Sequence, residues 1–165
     1  RVRERRSNLG LTVSATTRAP RKGEVDGVNY FFLTREEFDR RVANGEFVEW
    51  AEVHGNCYGT LVSEVQSKLA SGSSLILEID VQGALQVKER FPEAVLIFIK
   101  PPSLEVLRER LVGRGTETPE TIELRMANAA HELALADRYD DVVVNDDLDR
   151  ATDELVRVLD MHERI

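Results

Sequence analysis

The run Leu75-Ile76-Leu77-Glu78-Ile79-Asp80 is almost wholly apolar. That is the pattern of a strand buried on both faces, not of one with a wet side. Helical spacing follows over Val81 to Arg90, Pro92 breaks it, and a second apolar run spans Val95–Lys100. Strand, helix and strand in that order predict a β-α-β unit with a right-handed crossover, and hence an α/β fold with a parallel sheet. Leu11–Ser14 and Val142–Asn145 have the same character and are predicted to join the sheet. Helices are predicted from Leu61, from Ser103 to about Val112, from Thr118-Pro119-Glu120 with its cap and N1 proline, and from about Asp149. That last helix is expected to bury Leu155, Val158 and Leu159.

A smaller region before Leu61 has a different texture. Val28–Leu33 reads as a strand, and Thr34 with Glu37 forms a capping box for a helix that ends at Asn44-Gly45. Phe47–Val53 alternates, with Phe47, Glu49, Ala51 and Val53 on one face, and Gly55-Asn56 is expected to turn it back into Cys57-Tyr58. This predicts a small mixed sheet set into the larger fold. With 165 residues, 42% apolar and 32% charged, the chain suits one soluble domain. Its net charge of −8 argues against bulk attraction to nucleic acid or an anionic membrane. The single cysteine, Cys57, excludes an internal disulfide, and no apolar run reaches membrane-spanning length; a cytoplasmic protein is the expectation. Arg1–Arg6 reads as the end of a helix that starts upstream.

Three groups of residues carry chemistry. Arg18 and Arg21 flank Pro20 in a turn that follows Ser14 and leads back to Tyr30, so two guanidinium forks and a phenol could face one anion, with Tyr58 as a second phenol. Arg18-Ala19-Pro20-Arg21 equally suits a solvated basic turn, and Tyr58 a half-buried sheet tyrosine. Glu49, Glu78 and Asp80 are carboxylates on or at the ends of strands; alternation predicts Glu78 and Asp80 on one face, with Asp80 at the carboxyl end where ligands of open sheets bind. Arg108, Arg110, Arg114 and Arg125 follow the second crossover, and Gly113-Arg114-Gly115 reads as the hinge of a lid over phosphates. His54, His131 and His162 have no metal-ligand spacing with the acids and are expected at the surface.

Assembled, these stretches resemble the guanylate kinases. The motifs are Ser-Ala-Thr-Thr-Arg-Ala-Pro-Arg from Ser14, Gly-Glu-Val-Asp-Gly-Val-Asn-Tyr from Gly23, Gly-Glu-Phe-Val-Glu-Trp-Ala from Gly45, Leu-Glu-Ile-Asp-Val-Gln-Gly from Leu77 and Gly-Arg-Gly-Thr-Glu-Thr from Gly113. Gly-Asn-Cys-Tyr-Gly-Thr from Gly55 and Val-Val-Asn-Asp-Asp-Leu from Val143 complete the set. The resemblance implies a P-loop NTPase-like core (1–15, 61–112, 126–165), an inserted GMP-binding lobe (16–60) and a helical lid (113–125). It implies transfer of the γ-phosphoryl group of ATP to GMP with Mg²⁺. Ser14, Arg18, Arg21, Tyr30 and Tyr58 would hold the GMP phosphate, and Glu49, Thr60 and Asp80 would read guanine. Arg110, Arg114, Arg125 and Asn145 would serve ATP, with Arg18 and the three lid-side arginines as catalytic residues and Glu78 near the metal. The family's Gly-rich loop ending in Gly-Lys-Ser/Thr has no counterpart in these residues. It is expected before Arg1, and residues 1–165 alone are expected to be inactive. A kinase-like protein-binding domain is the alternative; the complete clamp and arginine set favour the enzyme, and Glu49 with Asp80 disfavours other nucleoside monophosphate kinases. The oligomeric state is not legible.

Overall fold

Thr34 opens its helix as its sequence context requires: the extended backbone of Thr34 lets its hydroxyl accept the Glu37 N–H, with Glu36 and Glu37 in the first turn. Thr34→Ala is expected to destabilise the protein by roughly 1 kcal/mol, read from the midpoint of urea unfolding. Similar chemistry recurs at Ser103, whose hydroxyl accepts from Val106 N–H, and at Thr118, which accepts from Thr121 N–H ahead of Pro119. The computed structural model describes residues 1–163. In chain order the elements are α1 (Val2–Arg5), β1 (Leu9–Leu11), β2 (Ala15–Thr16), β3 (Phe31–Phe32), α2 (Arg35–Ala43), β4 (Phe47–Val53), β5 (Asn56–Leu61) and α3 (Val62–Ala70). They continue with β6 (Ser74–Ile76), α4 (Val81–Arg90), β7 (Ile97–Lys100), α5 (Leu104–Gly113), α6 (Pro119–Ala134), a 3₁₀ turn (Ala136–Arg138), β8 (Asp141–Val144) and α7 (Leu148–Glu163).

Two compact units divide these elements. The unit Arg6–Ala94 holds a four-stranded mixed sheet, ordered β3-β2-β5-β4, and a parallel β1-β6 pair. β4 and β5 are antiparallel and joined by a two-residue turn, His54-Gly55, in which both residues have positive φ, the twist that suits a tight hairpin. The turn therefore lies one residue before the predicted Gly55-Asn56. Along β4 the first three residues are all buried instead of alternating. A register shift between Phe47 and Glu49 explains this: a bulge turns Phe47 into the cluster of Ala15, Phe38, Cys57 and Leu61, and Val48 into that of Val65 and Val87. α4 runs along β4, because the side chain of Gln86 accepts from Trp50 N–H and donates to Trp50 C=O, while Arg90 donates to Phe47 C=O.

The other unit comprises Arg1–Arg5 and the described residues from Val95 onward. Its β7 and β8 are parallel, from Ile97 opposite Asp141 to Lys100 opposite Val144, and α7 covers them with Ala151 and Val158 around the fully buried Val143. Leu155 is partly buried beside them, and Leu159 is half-buried rather than in the core. Arg1 and Arg5 pair with Asp149 and Asp153, which fastens α1 to α7.

Several sequence expectations are corrected here. The four predicted parallel strands pair two by two, β1 with β6 and β7 with β8. The first strand is Leu9–Leu11 rather than Leu11–Ser14, since Val13 N–H is taken by the Glu64 carboxylate instead of a ladder partner. Val28–Leu33 contracts to Phe31–Phe32, because Asn29 and Asp26 side chains accept the N–H groups of Val25 and Phe32 and hold the preceding residues in a loop. The apolar run from Leu75 is a strand only to Ile76, so Glu78 and Asp80 do not share a strand face. Helix initiation competes for its end: Asp80 is the N-cap of α4. His54 and His131 are exposed, but His162 is half-buried against Asp141, with Nε2 and Oδ2 2.5 Å apart.

Candidate functional site

Thr16 and Thr17 anchor the arginine turn. Thr16 Oγ1 donates to Cys57 C=O at 2.9 Å and accepts from Arg18 N–H, while Thr17 Oγ1 accepts from Cys57 N–H at 2.8 Å. The turn is thereby pinned to β5 beside Tyr58. Cys57 itself is fully buried, and burial pushes its thiol pKa up, so it is a packing residue. Gly23 and Gly27, both with positive φ, fold the following loop so that Tyr30 returns to the turn. The Arg18 guanidinium carbon lies 5.2 Å from the Tyr30 ring centre, and the Tyr30 and Tyr58 rings meet edge to face at 6.3 Å. Hydrogen bonding to Glu24 comes first in raising the Arg18 pKa further above its ordinary value, with contributions from the Tyr30 and Tyr58 side chains. Arg18, Tyr30 and Tyr58 are thus one cluster. Ser14 is half-buried and its carbonyl accepts from Phe31 N–H, while Arg21 is exposed.

A second cluster forms where β4, β5 and the start of α4 meet. Glu49 is 8% exposed, a costly place for a carboxylate, and Thr60 Oγ1 donates to its Oε1 at 2.7 Å. Burial, with the nearby Asp80 charge adding, raises the Glu49 pKa despite the Thr60 bond. Asp80 Oδ1 accepts from Gly83 N–H at 2.8 Å. A Cβ on Gly83 would lie 3.0 Å from Glu49 Oε2 and 3.3 Å from Asp80 Oδ1, so the two carboxylates close over a residue that must be small. Tyr58 and Thr60 leave β5 on one face, while Cys57 and Leu61 leave on the other into the core. Glu78 is exposed, two residues before Asp80.

In the other unit, Arg110 donates to the backbone carbonyls of Asn145 (2.9 Å) and Asp146 (3.2 Å). Arg125 pairs with Glu117 at 3.3 Å, and Arg114 is exposed at the C-terminus of α5, before Gly115 with its positive φ. Arg108 is engaged by Glu123. Among the described residues no group of three or more His, Cys, Asp or Glu could hold a metal ion, and no helix is long and apolar enough to cross a membrane. Among the residues outside the sequence-derived set that touch these clusters are Glu24 and Gly83. Both lie inside the quoted motifs, and an acid six positions after an arginine across a glycine turn is the signal that could have singled out Glu24.

A family model for guanylate kinase matches residues 2–162. The chain belongs to the guanylate kinase family. It is 57% identical over 158 residues to the guanylate kinase of Gloeobacter violaceus, covering 96% of this chain and 77% of that protein. It is 53% identical to that of Halalkalibacterium halodurans, covering 96% and 78%. A solved guanylate kinase from Anaplasma phagocytophilum superposes with a TM-score of 0.74 at 40% identity, covering 97% of this chain and 79% of that one. The fold is therefore the α/β, P-loop NTPase-like fold of guanylate kinases, as the sequence motifs imply.

Proposed function

We propose that this protein transfers the γ-phosphoryl group of ATP to GMP, giving ADP and GDP. The observation that carries the reading is the single face of β5 that bears Tyr58 beside Arg18 and Thr60 beside Glu49. At ~3.3 Å per residue these positions lie about 7 Å apart along the strand, which suits a phosphate at one end and a base at the other. Guanine presents N1–H and an exocyclic amine as adjacent donors, which ionised Glu49 and Asp80 would accept; adenine presents an acceptor at N1 and would face carboxylate lone pairs. Arg18, Arg21, Tyr30, Tyr58 and Ser14 would hold the GMP phosphate, and residues 16–60 would act as the GMP lobe. Arg110, Arg114, Arg125 and Asn145 would serve ATP, with 113–125 as the lid. Phosphoryl transfer needs positioning and charge neutralisation more than proton transfer, so arginines without a catalytic histidine are adequate to it. Mg²⁺ is commonly held by one or two carboxylates together with substrate phosphates. No carboxylate cage among the described residues, with the exposed Glu78 ahead of Asp80, fits that mode. The ion would neutralise phosphate charge.

Steady-state kinetics with GMP and AMP as acceptors test the proposal, GMP being strongly preferred; an enzyme that uses AMP equally well would overturn it. Arg18→Lys and Arg21→Lys are each expected to raise the KM for GMP by about tenfold without a comparable change for ATP, since lysine keeps the charge but loses the fork. Equal losses for both substrates would assign these arginines to the shared transition state instead.

A further inference from the structure

Glu24 holds both arginines of the turn with one carboxylate. Arg18 Nη1 and Nη2 donate to its two oxygens at 2.9 and 3.0 Å, and the backbone N–H of Arg21 donates to Oε1 at 2.7 Å. Glu24 N–H in turn donates to Arg21 C=O at 3.0 Å, which closes the loop on itself. The pair is sheltered, with 13% and 19% of the two side chains exposed, so it is not one of the solvent-averaged surface pairs that contribute little. We propose that Glu24 is a positioning residue for phosphate binding, holding the Arg18 guanidinium by its outer edge so that its other edge is presented to the substrate phosphate. This rests on the reading of Arg18 as a GMP phosphate ligand.

Guanidinium has five N–H groups in a fixed plane. Nη1 is used by Ala19 C=O (3.0 Å) and Glu24, and one Nη2 hydrogen by Glu24. The second Nη2 hydrogen and Nε–H form the remaining fork, on the edge away from the carboxylate. Interactions of Arg18 with the Tyr30 and Tyr58 side chains place phenol groups beside the same guanidinium. A bound phosphate would therefore meet a fork already oriented, and the freedom of a long side chain would be lost on folding instead of on binding. The Glu24 charge also opposes an anion, so the opposite role, a carboxylate plug that phosphate must displace, makes a contrary prediction. Glu24 takes only the Nη1–Nη2 edge of the guanidinium, which favours positioning. Arg18 and the Arg21 backbone hold the Glu24 carboxyl below the usual carboxylate range, so it stays ionised at neutral pH.

Calorimetric titration of wild type, Glu24→Gln and Glu24→Ala with GMP and with guanosine separates these roles. The proposal expects Glu24→Ala to weaken GMP binding roughly tenfold, leave guanosine binding unchanged, and raise the KM for GMP with little change in kcat or in the KM for ATP. Glu24→Gln, which keeps acceptors but not the charge, should lie between. Unchanged or tighter GMP binding in both variants would overturn the proposal, as would equal losses for GMP and guanosine, which would mark a general loosening of the lobe. A wild-type protein that does not bind GMP would sink the functional reading itself; wild-type binding with unaffected variants would sink only the role of Glu24. If Glu24→Ala does not fold, Glu24→Gln alone decides through the GMP-to-guanosine comparison.

Discussion

Glu49→Gln is expected to weaken GMP binding by roughly 1–3 kcal/mol while leaving the ligand-free protein at least as stable as wild type at neutral pH. The loss arises because an amide offers one acceptor where guanine brings adjacent donors. The retained stability arises because burial disfavours the Glu49 carboxylate, which is why its pKa is raised. An acid whose native pKa lies above its unfolded value stabilises the fold most when protonated. That contribution is full below the ordinary carboxylate range and is lost as pH rises through the native pKa. On the proposed reading, binding needs the opposite form: the ionised carboxylate, already accepting from Thr60, is the species that would take guanine donors. GMP affinity should therefore rise with pH over the same interval in which ligand-free stability falls, and Glu49→Gln should reduce both slopes, leaving in the affinity profile the second ionisation of the GMP phosphate at about pH 6. Calorimetry with GMP from mildly acidic to neutral pH, beside thermal melts, measures both. Unchanged GMP affinity in the variant would remove Glu49 from guanine recognition.

Gly59→Ala is expected to destabilise the protein by roughly 1–3 kcal/mol, a fall in Tm of roughly 2–12 °C for a chain of this size. A Cβ at Gly59 would lie 2.7 Å from the Phe47 ring and 2.8 Å from Glu49 C=O. Neither neighbour has room to yield. Phe47 stacks on the fully buried Phe38 with ring centres 4.4 Å apart, and the Glu49 carbonyl belongs to the strand backbone at the β4 bulge. Moving that backbone would also shift the Glu49 carboxylate relative to Thr60, so GMP affinity should fall together with stability. Scanning calorimetry reads the first effect and GMP titration the second. A variant that melts with wild type would show that the sheet accommodates the methyl.

The α/β class, the order of nearly all the elements and the starts of the helices at Thr34, Ser103 and Thr118 follow from the amino-acid order alone. The physical reason is locality: caps, N1 prolines and apolar periodicity act between residues a few positions apart, so neighbouring letters contain both partners. The residues proposed for GMP and ATP come from a different source, the resemblance of the quoted motifs to those of guanylate kinases, which carries roles without geometry. Tertiary structure alone decided the partners. Val13 N–H prefers the Glu64 carboxylate, 51 positions away, to a strand ladder, and Asp80 ends an apolar run by capping α4. The bulge at Phe47–Glu49 sends successive residues to two clusters, which strict alternation cannot express. Glu49 meets Thr60, Asp80 and Gly83, and Arg18 meets Tyr58, only because β5 and α4 are laid against residues distant in the chain. Such contacts depend on which of several competing polar groups is close enough to satisfy a buried one, and that competition is settled by packing.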